Sequence, residues 1–366
     1  MDGWLDVFLT NGMRLEETYT PENAPTTHLF KNNRDGTFTD VTAKAGIAST
    51  GWTVGVCVGD YDNDGWPDIY VAVDSEPSIL YHNNHDGTFT DVAVVAGCAY
   101  NEDGQEQAGM GVGVADYDAD GWFDIFKTNF SDDTSDLYHN NGDGTFTDAT
   151  FVSGVGVNTQ YVGWGAGFLD FDNDGWPDIL QVNGHVYPEI EKYNLDATFK
   201  VPRIVYRNLG NGKFKDTSAE MGPGISERFS SRGCAFGDYD NDGDIDVLVL
   251  NMNDPPSLLR NDGGNRLNWI KIKLLGTQCN RTAIGARVRV VTGKHSQINE
   301  VHSGDSVMSQ SDLRLHFGLG QAKTVDLIEV KWPTTQKVEK FTRVEANQIL
   351  TIREGAGIVK AEKARA

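Results

Sequence analysis

The chain has 366 residues, with 53 acidic against 31 basic side chains and a formal net charge of −22. That balance argues against nucleic acid as a partner, because phosphate binding needs clustered Lys and Arg. No apolar run reaches the ~18 residues of a membrane span, and no basic region followed by an apolar stretch opens the chain as a signal peptide would. Four cysteines, Cys57, Cys98, Cys234 and Cys279, include no C-x-x-C pair, so buried free thiols are expected.

The chain opens on MDGWLD and then settles into two phrases that alternate. One is acidic: DYDNDGWPD at 60, DYDADGWFD at 116, DFDNDGWPD at 170 and DYDNDGDID at 238. The other begins LFKNNRDGTFTDVT at 29 and recurs at 80, 137 and 205, with a degenerate copy at 258. Self-similarity at this period marks a propeller, solenoid or array. Each unit reads as a Gly-rich apolar strand, the acidic loop, an apolar strand, and a hairpin closed by Asp-Gly, for which a type I′ turn is expected. Four strands per unit fit a propeller blade; a stacked β-solenoid is the alternative, with shorter repeats. Residues 1–264 are therefore read as a β-propeller of about five recognisable blades. MDGWLD supplies only the second half of an acidic loop, so the first blade is incomplete and the expectation is an N-terminally truncated propeller.

From about residue 265 the acidic loops stop. Alternating strands such as NWIKIKLLG and VDLIEVKWP predict a small β-sandwich-like domain over 265–354. Residues 355–366, rich in Ala and Lys, are expected as a flexible tail. The fold class is all-β throughout.

In the first full loop Asp60, Asp62 and Asp64 alternate, Gly65 reverses the chain, the carbonyl of Trp66 can face inward, and Asp68 closes the shell. Oxygen-only, largely anionic donors on a flexible loop suit Ca²⁺ better than softer metals. The same positions are Asp116, Asp118, Asp120, Trp122 and Asp124; then Asp170, Asp172, Asp174, Trp176 and Asp178; then Asp238, Asp240, Asp242, Asp244 and Asp246. Asp2, Trp4 and Asp6 form a partial site. An EF-hand is rejected, since position 12 is Val71 and the flanks are strands. Asp-rich turns that merely cap strands are the competing reading, but four copies with one spacing disfavour it. One structural Ca²⁺ per complete loop is expected.

These repeats resemble FG-GAP/VCBS repeats, the calcium-loop blades also found in integrin α propellers. NRTAIGARVRVVTG, SGDSVMSQSDLRLHFGLG and VDLIEVKWP resemble an ASPIC/UnbV domain. Together the modules resemble the cartilage acidic protein-like family. The resemblance implies calcium at the loop positions named above.

Other side chains invite reading. The loop Trp residues are expected to pack between adjacent blades. His82 and His139, which align with Lys31 and Arg207, read as a solvated blade position. The Asn280-Arg281-Thr282 sequon is an N-glycosylation candidate. His185, Glu189, Arg228 and Arg232 lie outside the repeat pattern and are candidate ligand or funnel residues. Two functions follow. The first is a non-enzymatic, calcium-binding propeller for adhesion or recognition of an extracellular protein or polysaccharide, secreted, periplasmic or at the cell surface. The second is a lyase or cyclase working in the central funnel, which requires those four side chains to converge.

Overall fold

The computed structural model describes residues 1–11, 26–47, 51–193 and 197–364. The acidic repeats build successive antiparallel sheets. Blade two runs Trp52–Gly59, Asp68–Glu76, Ile79–Asn83 and Phe89–Asp91; blade four runs Gly163–Leu169, Asp178–Asn183, Ile204–Asn208 and Phe214–Asp216. Blade three, between them, is Val112–Ala115, Asp124–Lys127, Asp136–Asn140 and Phe146–Asp148. The two end blades have three strands each. Blade one, Val7–Leu9, His28–Asn32 and Phe38–Asp40, lacks the strand that precedes an acidic loop. Blade five, Ser231–Gly237, Asp246–Asn251 and Ser257–Leu259, lacks the outer strand, because the chain turns away into the small domain.

Apolar residues from facing sheets form one core per pair of neighbours. Phe8 and Leu29 meet Ile69 and Val71, Tyr70 and Leu80 meet Val112 and Ile125, Phe126 meets Ile179, and Leu180 meets Val247. Among the described residues no such cluster joins blade five to blade one. The end blades expose apolar side chains: Trp4, Val7 and Leu9 at one end, Leu248, Leu250 and Leu258 at the other. The glycines of the first strands permit the tight inner packing. A Cβ on Gly55, Gly111 or Gly165 would lie 2.0, 2.0 or 2.6 Å from the carbonyl of Met110, Trp164 or Arg232 in the next blade or its approach. All four cysteines are free and buried.

The blade hairpins differ from a type I′ turn. Strand partners such as Asn32 and Phe38 leave five residues between them, and the positive φ values fall on Arg34 and Gly36, not on Asp35. Asp35 instead accepts hydrogen bonds from the Thr37 amide at 2.9 Å and hydroxyl at 2.6 Å. The aspartate is a side-chain cap of the turn, the use to which Asp and Thr lend themselves.

The small domain is a sandwich of two four-stranded sheets. One is ordered Leu315–Gly320, Asn268–Leu275, Gln348–Arg353, Gly357–Lys363; the other His295–Glu300, Arg287–Thr292, Thr324–Lys331, Val338–Glu345. Ile270, Ile272, Val288, Phe317, Ile328 and Trp332 pack between them. Gly357–Lys363 is a strand where a tail was expected. Its side chains are mostly exposed, so backbone pairing alone holds it and the composition hid it. Asn280 builds a turn: its amide donates to the Ile284 carbonyl at 2.8 Å and its Oδ1 accepts from Ile284 N at 2.9 Å. That engagement disfavours its use as a glycan acceptor.

Glu354 ties this domain together. Its buried Oε2 accepts from the amides of Thr277 (2.8 Å), Gln278 (2.7 Å) and Cys279 (3.1 Å), and Oε1 from the Thr335 hydroxyl (3.2 Å). Burial pushes the carboxyl pKa up, but the three amides outweigh it and hold the group at about 2, against an ordinary 4.5. A depressed native pKa stabilises the fold above 4.5, and that contribution is lost as pH falls toward 2. Glu354→Gln should therefore lower stability at neutral pH by about 1–3 kcal/mol and flatten the acid limb of the stability curve, as read by urea unfolding across pH.

Candidate metal centres

Each acidic loop folds on its own backbone first. The carboxylate at position 1 accepts the amide of the position-6 glycine: Asp60 from Gly65 at 3.0 Å, Asp116 from Gly121 at 3.0 Å, Asp170 from Gly175 at 2.8 Å, Asp238 from Gly243 at 3.1 Å. Position 5 accepts from the amide at position 7, as Asp64 does from Trp66 at 2.7 Å. Position 4 is left-handed in every loop, at Asn63, Ala119, Asn173 and Asn241. Position 9 opens the next strand and uses both oxygens. Asp124 Oδ2 takes the Tyr117 amide at 3.1 Å, and Oδ1 takes the Asn140 amide on the third strand at 2.8 Å.

The carboxylates converge. Oxygens of Asp60, Asp62 and Asp68 lie within 4.8 Å of one another, as do those of Asp116, Asp118 and Asp120, and of Asp170, Asp172 and Asp178. Backbone donors do not satisfy them all. At position 3, one buried oxygen of Asp118, Asp172 and Asp240 has no hydrogen-bond partner, and in the first loop Asp60 Oδ1 has none. Asp244 Oδ1, where the fourth loop replaces Trp, is also unpartnered. Burial and mutual repulsion push several loop acids up: Asp60 to about 6, Asp68 and Asp116 to about 8, Asp124 to about 7, and Asp170 and Asp178 well above the ordinary carboxylate value. Orphaned anionic oxygens clustered at one point are what a hard divalent cation satisfies, so the donor set fits Ca²⁺.

The partial site copies the geometry it retains. Asp2 Oδ1 accepts from Trp4 N at 3.0 Å and Asp6 Oδ1 from Asn32 N at 2.8 Å, the bonds of positions 5 and 9. Arg34 pairs with Asp2 at 2.7 Å, where His85 pairs with Asp64 at 2.5 Å in blade two.

Three expectations change. His82 and His139 are not idle surface groups. His82 Nδ1 lies 3.3 Å from Asp62 and 3.4 Å from Asp68; His139 Nδ1 lies 3.4 Å from Asp118 and 3.3 Å from Asp124. Arg207 takes the same place with 2.6 Å to Asp172 and 3.3 Å to Asp174. Arg207 offsets part of its loop's charge. The Asp124 carboxylate close beside His139 raises its pKa to about 9.

The loop Trp residues pack within their own blade, not between blades. Trp66 stacks on His85 at 4.8 Å, and a Cβ on Gly142 or Gly210 would come 2.7 or 2.8 Å from the indole of Trp122 or Trp176.

The four funnel candidates do not all converge: His185 and Glu189 follow the strand Asp178–Asn183, Arg228 precedes Ser231–Gly237 and Arg232 lies within it, and only His185 and Arg232 meet. Arg232 donates to the His185 carbonyl at 3.3 Å and covers Trp164 at 4.2 Å, while His185 Nδ1 accepts from Tyr187 N at 3.1 Å. Glu189 and Arg228 are exposed.

The side chains that join neighbouring loops had no place in the sequence reading. Asn140 Nδ2 donates to the Tyr61 carbonyl of the preceding blade's loop at 2.9 Å, Asn208 to Tyr117 at 2.8 Å and Asn261 to Phe171 at 2.7 Å. Each also holds its own loop by donating its backbone amide to the position-9 carboxylate. The signal was present in every copy of the second phrase, as the Asn that closes its strand.

Residues 1–71, 60–127, 116–180 and 202–249 match the FG-GAP-like repeat family. The chain belongs to that family. Residues 276–359 match the ASPIC and UnbV family, so FG-GAP-like repeats are followed by an ASPIC and UnbV domain. Cartilage acidic protein 1 of Homo sapiens is 28% identical over 326 residues, 86% of this chain and 46% of that protein. The Xenopus tropicalis protein of that name is 27% identical over 331 residues, 86% of this chain and 47% of its own length. The chain thus spans about half the length of these relatives. Among solved structures, an Agrocybe aegerita lectin described for recognition of non-reducing terminal N-acetylglucosamine aligns with TM-score 0.37 and 18% identity, over 88% of this chain and 75% of its own. The V. cholerae biofilm matrix protein Bap1 aligns with TM-score 0.35 and 9% identity, over 92% and 58%.

Two outcomes test the loop geometry. Asn140→Ala strands two buried carbonyls, Tyr61 O and Phe123 O, and should cost about 2 kcal/mol or more, whereas Asn141→Ala, exposed and bonded only within its turn, should cost under about 0.5 kcal/mol; thermal melting distinguishes them. The second concerns pH. Native carboxylates raised to about 6–8 keep protons that the unfolded chain releases near 3.8. In chelator the native state then binds more protons than the unfolded state, so stability should fall as pH rises from about 4 to 8. Saturating Ca²⁺ should reverse that slope in the same melts.

Proposed function

We propose that the chain is a non-enzymatic recognition module whose propeller is held in shape by Ca²⁺ in its acidic loops, acting outside the cytoplasm on a protein or polysaccharide. The observation that carries this reading is the repeated cage with a buried, unpartnered carboxylate oxygen in every loop, at position 3 in three of the four. Asp60, Asp62, Asp64 and Asp68, and their counterparts in the other three loops, would hold one ion each. The ion would supply charge neutralisation and a fixed loop shape. Millimolar calcium outside cells fills sites of this oxygen-rich kind without tight binding. Kinship with cartilage acidic protein 1 supports the same setting, and no helix among the described residues is long and apolar enough to cross a membrane.

The alternative, lyase or cyclase chemistry in the funnel, loses support from the scatter of His185, Glu189, Arg228 and Arg232. The first strands that would line such a funnel face the protein's own residues 301–312. His302 donates to the Val58 carbonyl at 2.8 Å, Ser306 N to Val112 O at 2.9 Å, and Phe236 N to the Ser311 hydroxyl at 3.1 Å. Recognition then falls to surfaces outside the axis.

Titrating Ca²⁺ into chelated protein should raise the melting temperature at millimolar ion, and Asp118→Asn should reduce that rise. No upward shift would refute the ion reading. A glycan and secreted-protein array probed with and without Ca²⁺ should give binding that chelator abolishes; silence on both arms would remove the recognition reading.

A further inference from the structure

The ASPIC and UnbV domain does not sit beside the propeller. It sits on the acidic loops. Against the first loop, the Arg287 guanidinium donates to the Asn63 side-chain oxygen and reaches the second loop at the Gly121 carbonyl (3.4 Å), while Gln336 donates to the Gly65 carbonyl at 3.1 Å. Against the third, His295 donates to the Gly175 carbonyl at 2.8 Å, His316 bonds the Asn173 side chain, and Gly320 N donates to Asn173 O at 2.9 Å. Against the fourth, Arg314 donates to the Asn241 side chain and to Asp238 O (2.9 Å), and Lys271 pairs with Asp238 at 2.5 Å with both groups buried. All four loops are touched by one domain.

We infer that ion occupancy of the loops and seating of the ASPIC and UnbV domain are one linked equilibrium, in which a divalent cation in the loops holds the domain, and its residues 301–312, in the propeller axis. This rests on the ion reading given above.

The sign follows from which acceptors the domain uses. Most are neutral: the carbonyls of Gly65, Gly121, Gly175 and Asn173, and the side chains of Asn63, Asn173 and Asn241. Those side chains stand on residues held left-handed, φ 63°, 57° and 61°, and so point where the loop turn puts them. Crowded carboxylates spread a loop that lacks an ion, and the acceptors move with it. An ion that fixes the turn presents them. The charged contacts oppose this less than their number suggests. Arg287 and Lys331 approach Asp60 through Oδ2, at 3.8 and 4.0 Å, whereas Asp60 Oδ1 is the oxygen without a partner. Asp60 can therefore serve the ion and the domain at once, while Asp238 in the fourth loop is held by Lys271 directly.

Linkage is reciprocal, so seat and ion must each strengthen the other by the same factor. Hydrogen exchange of the wild-type chain, with Ca²⁺ binding measured in parallel by calorimetry, tests it. Removing Ca²⁺ with chelator should speed exchange of the 301–312 amides, Ser306 and Asp312 among them, by about tenfold or more, while Asn268–Leu275 in the domain's own core keeps its protection. The double variant His295→Ala, Gln336→Ala removes two seat contacts and no carboxylate partner, and should weaken Ca²⁺ binding by about fivefold. If that variant does not fold, the wild-type exchange result decides alone. Measurable Ca²⁺ binding with unchanged 301–312 exchange overturns the linkage and leaves the ion reading standing. No Ca²⁺ binding overturns both.

Discussion

Four carboxylates within nine residues crowd one small loop with charge of a single sign. Charges of one sign at 4 Å repel by about 4 kcal/mol per pair in a partly buried setting, more than the turn hydrogen bonds return. The loop therefore answers this constraint at every level. Backbone amides take some of the oxygens, His82, His139 and Arg207 approach from the third strand, and Arg287, Lys331 and Lys271 approach from the small domain. What remains is a set of buried oxygens with no protein partner, and their position recurs from loop to loop. The orphan recurs at position 3 in three of the four loops, at Asp118, Asp172 and Asp240.

The same loops carry the architecture. Asp124 joins the loop to the second strand and, through the Asn140 amide, to the third; Asn140 then crosses to the loop of the preceding blade. Loop, blade and blade contact thus form one chain of dependence from blade to blade. A disturbance at a loop carboxylate is felt in sheet-to-sheet packing, not only at the surface.

Much of this could be read before any coordinates. Period, strand count, the loop positions and the change of pattern near residue 265 all rest on local rules, and local rules write themselves into letters. The misses have a common cause. The five-residue hairpin around Asp35, the Trp66 stack on His85 and the strand Gly357–Lys363 depend on what lies opposite in space. His82 looked like a tolerant surface position because Lys, His and Arg alternate there; the alternation was the signal, since all three can carry positive charge toward one acidic loop. Asn140 was visible in every repeat, but its partner is the loop of another blade, and spacing along the chain does not reveal a bond across blades.

The small domain's place was beyond sequence for the same reason, and it changes how the propeller is understood. Ser306 and Met308 hold left-handed conformations, φ 57° and 47°, that side-chain-bearing residues seldom adopt. Ser306 persists because first strands of neighbouring blades hold it: Val112 pairs with it in both directions, and Cys234 Sγ lies 3.3 Å from its hydroxyl. Behind the segment a cavity of about 170 Å³ remains, bordered by Glu300, His302, Asp305 and Arg314. An axis filled in this way is a joint rather than an entrance. The acidic loops that join neighbouring blades also form the bearing on which the second domain rests, mostly through their carbonyls and Asn side chains.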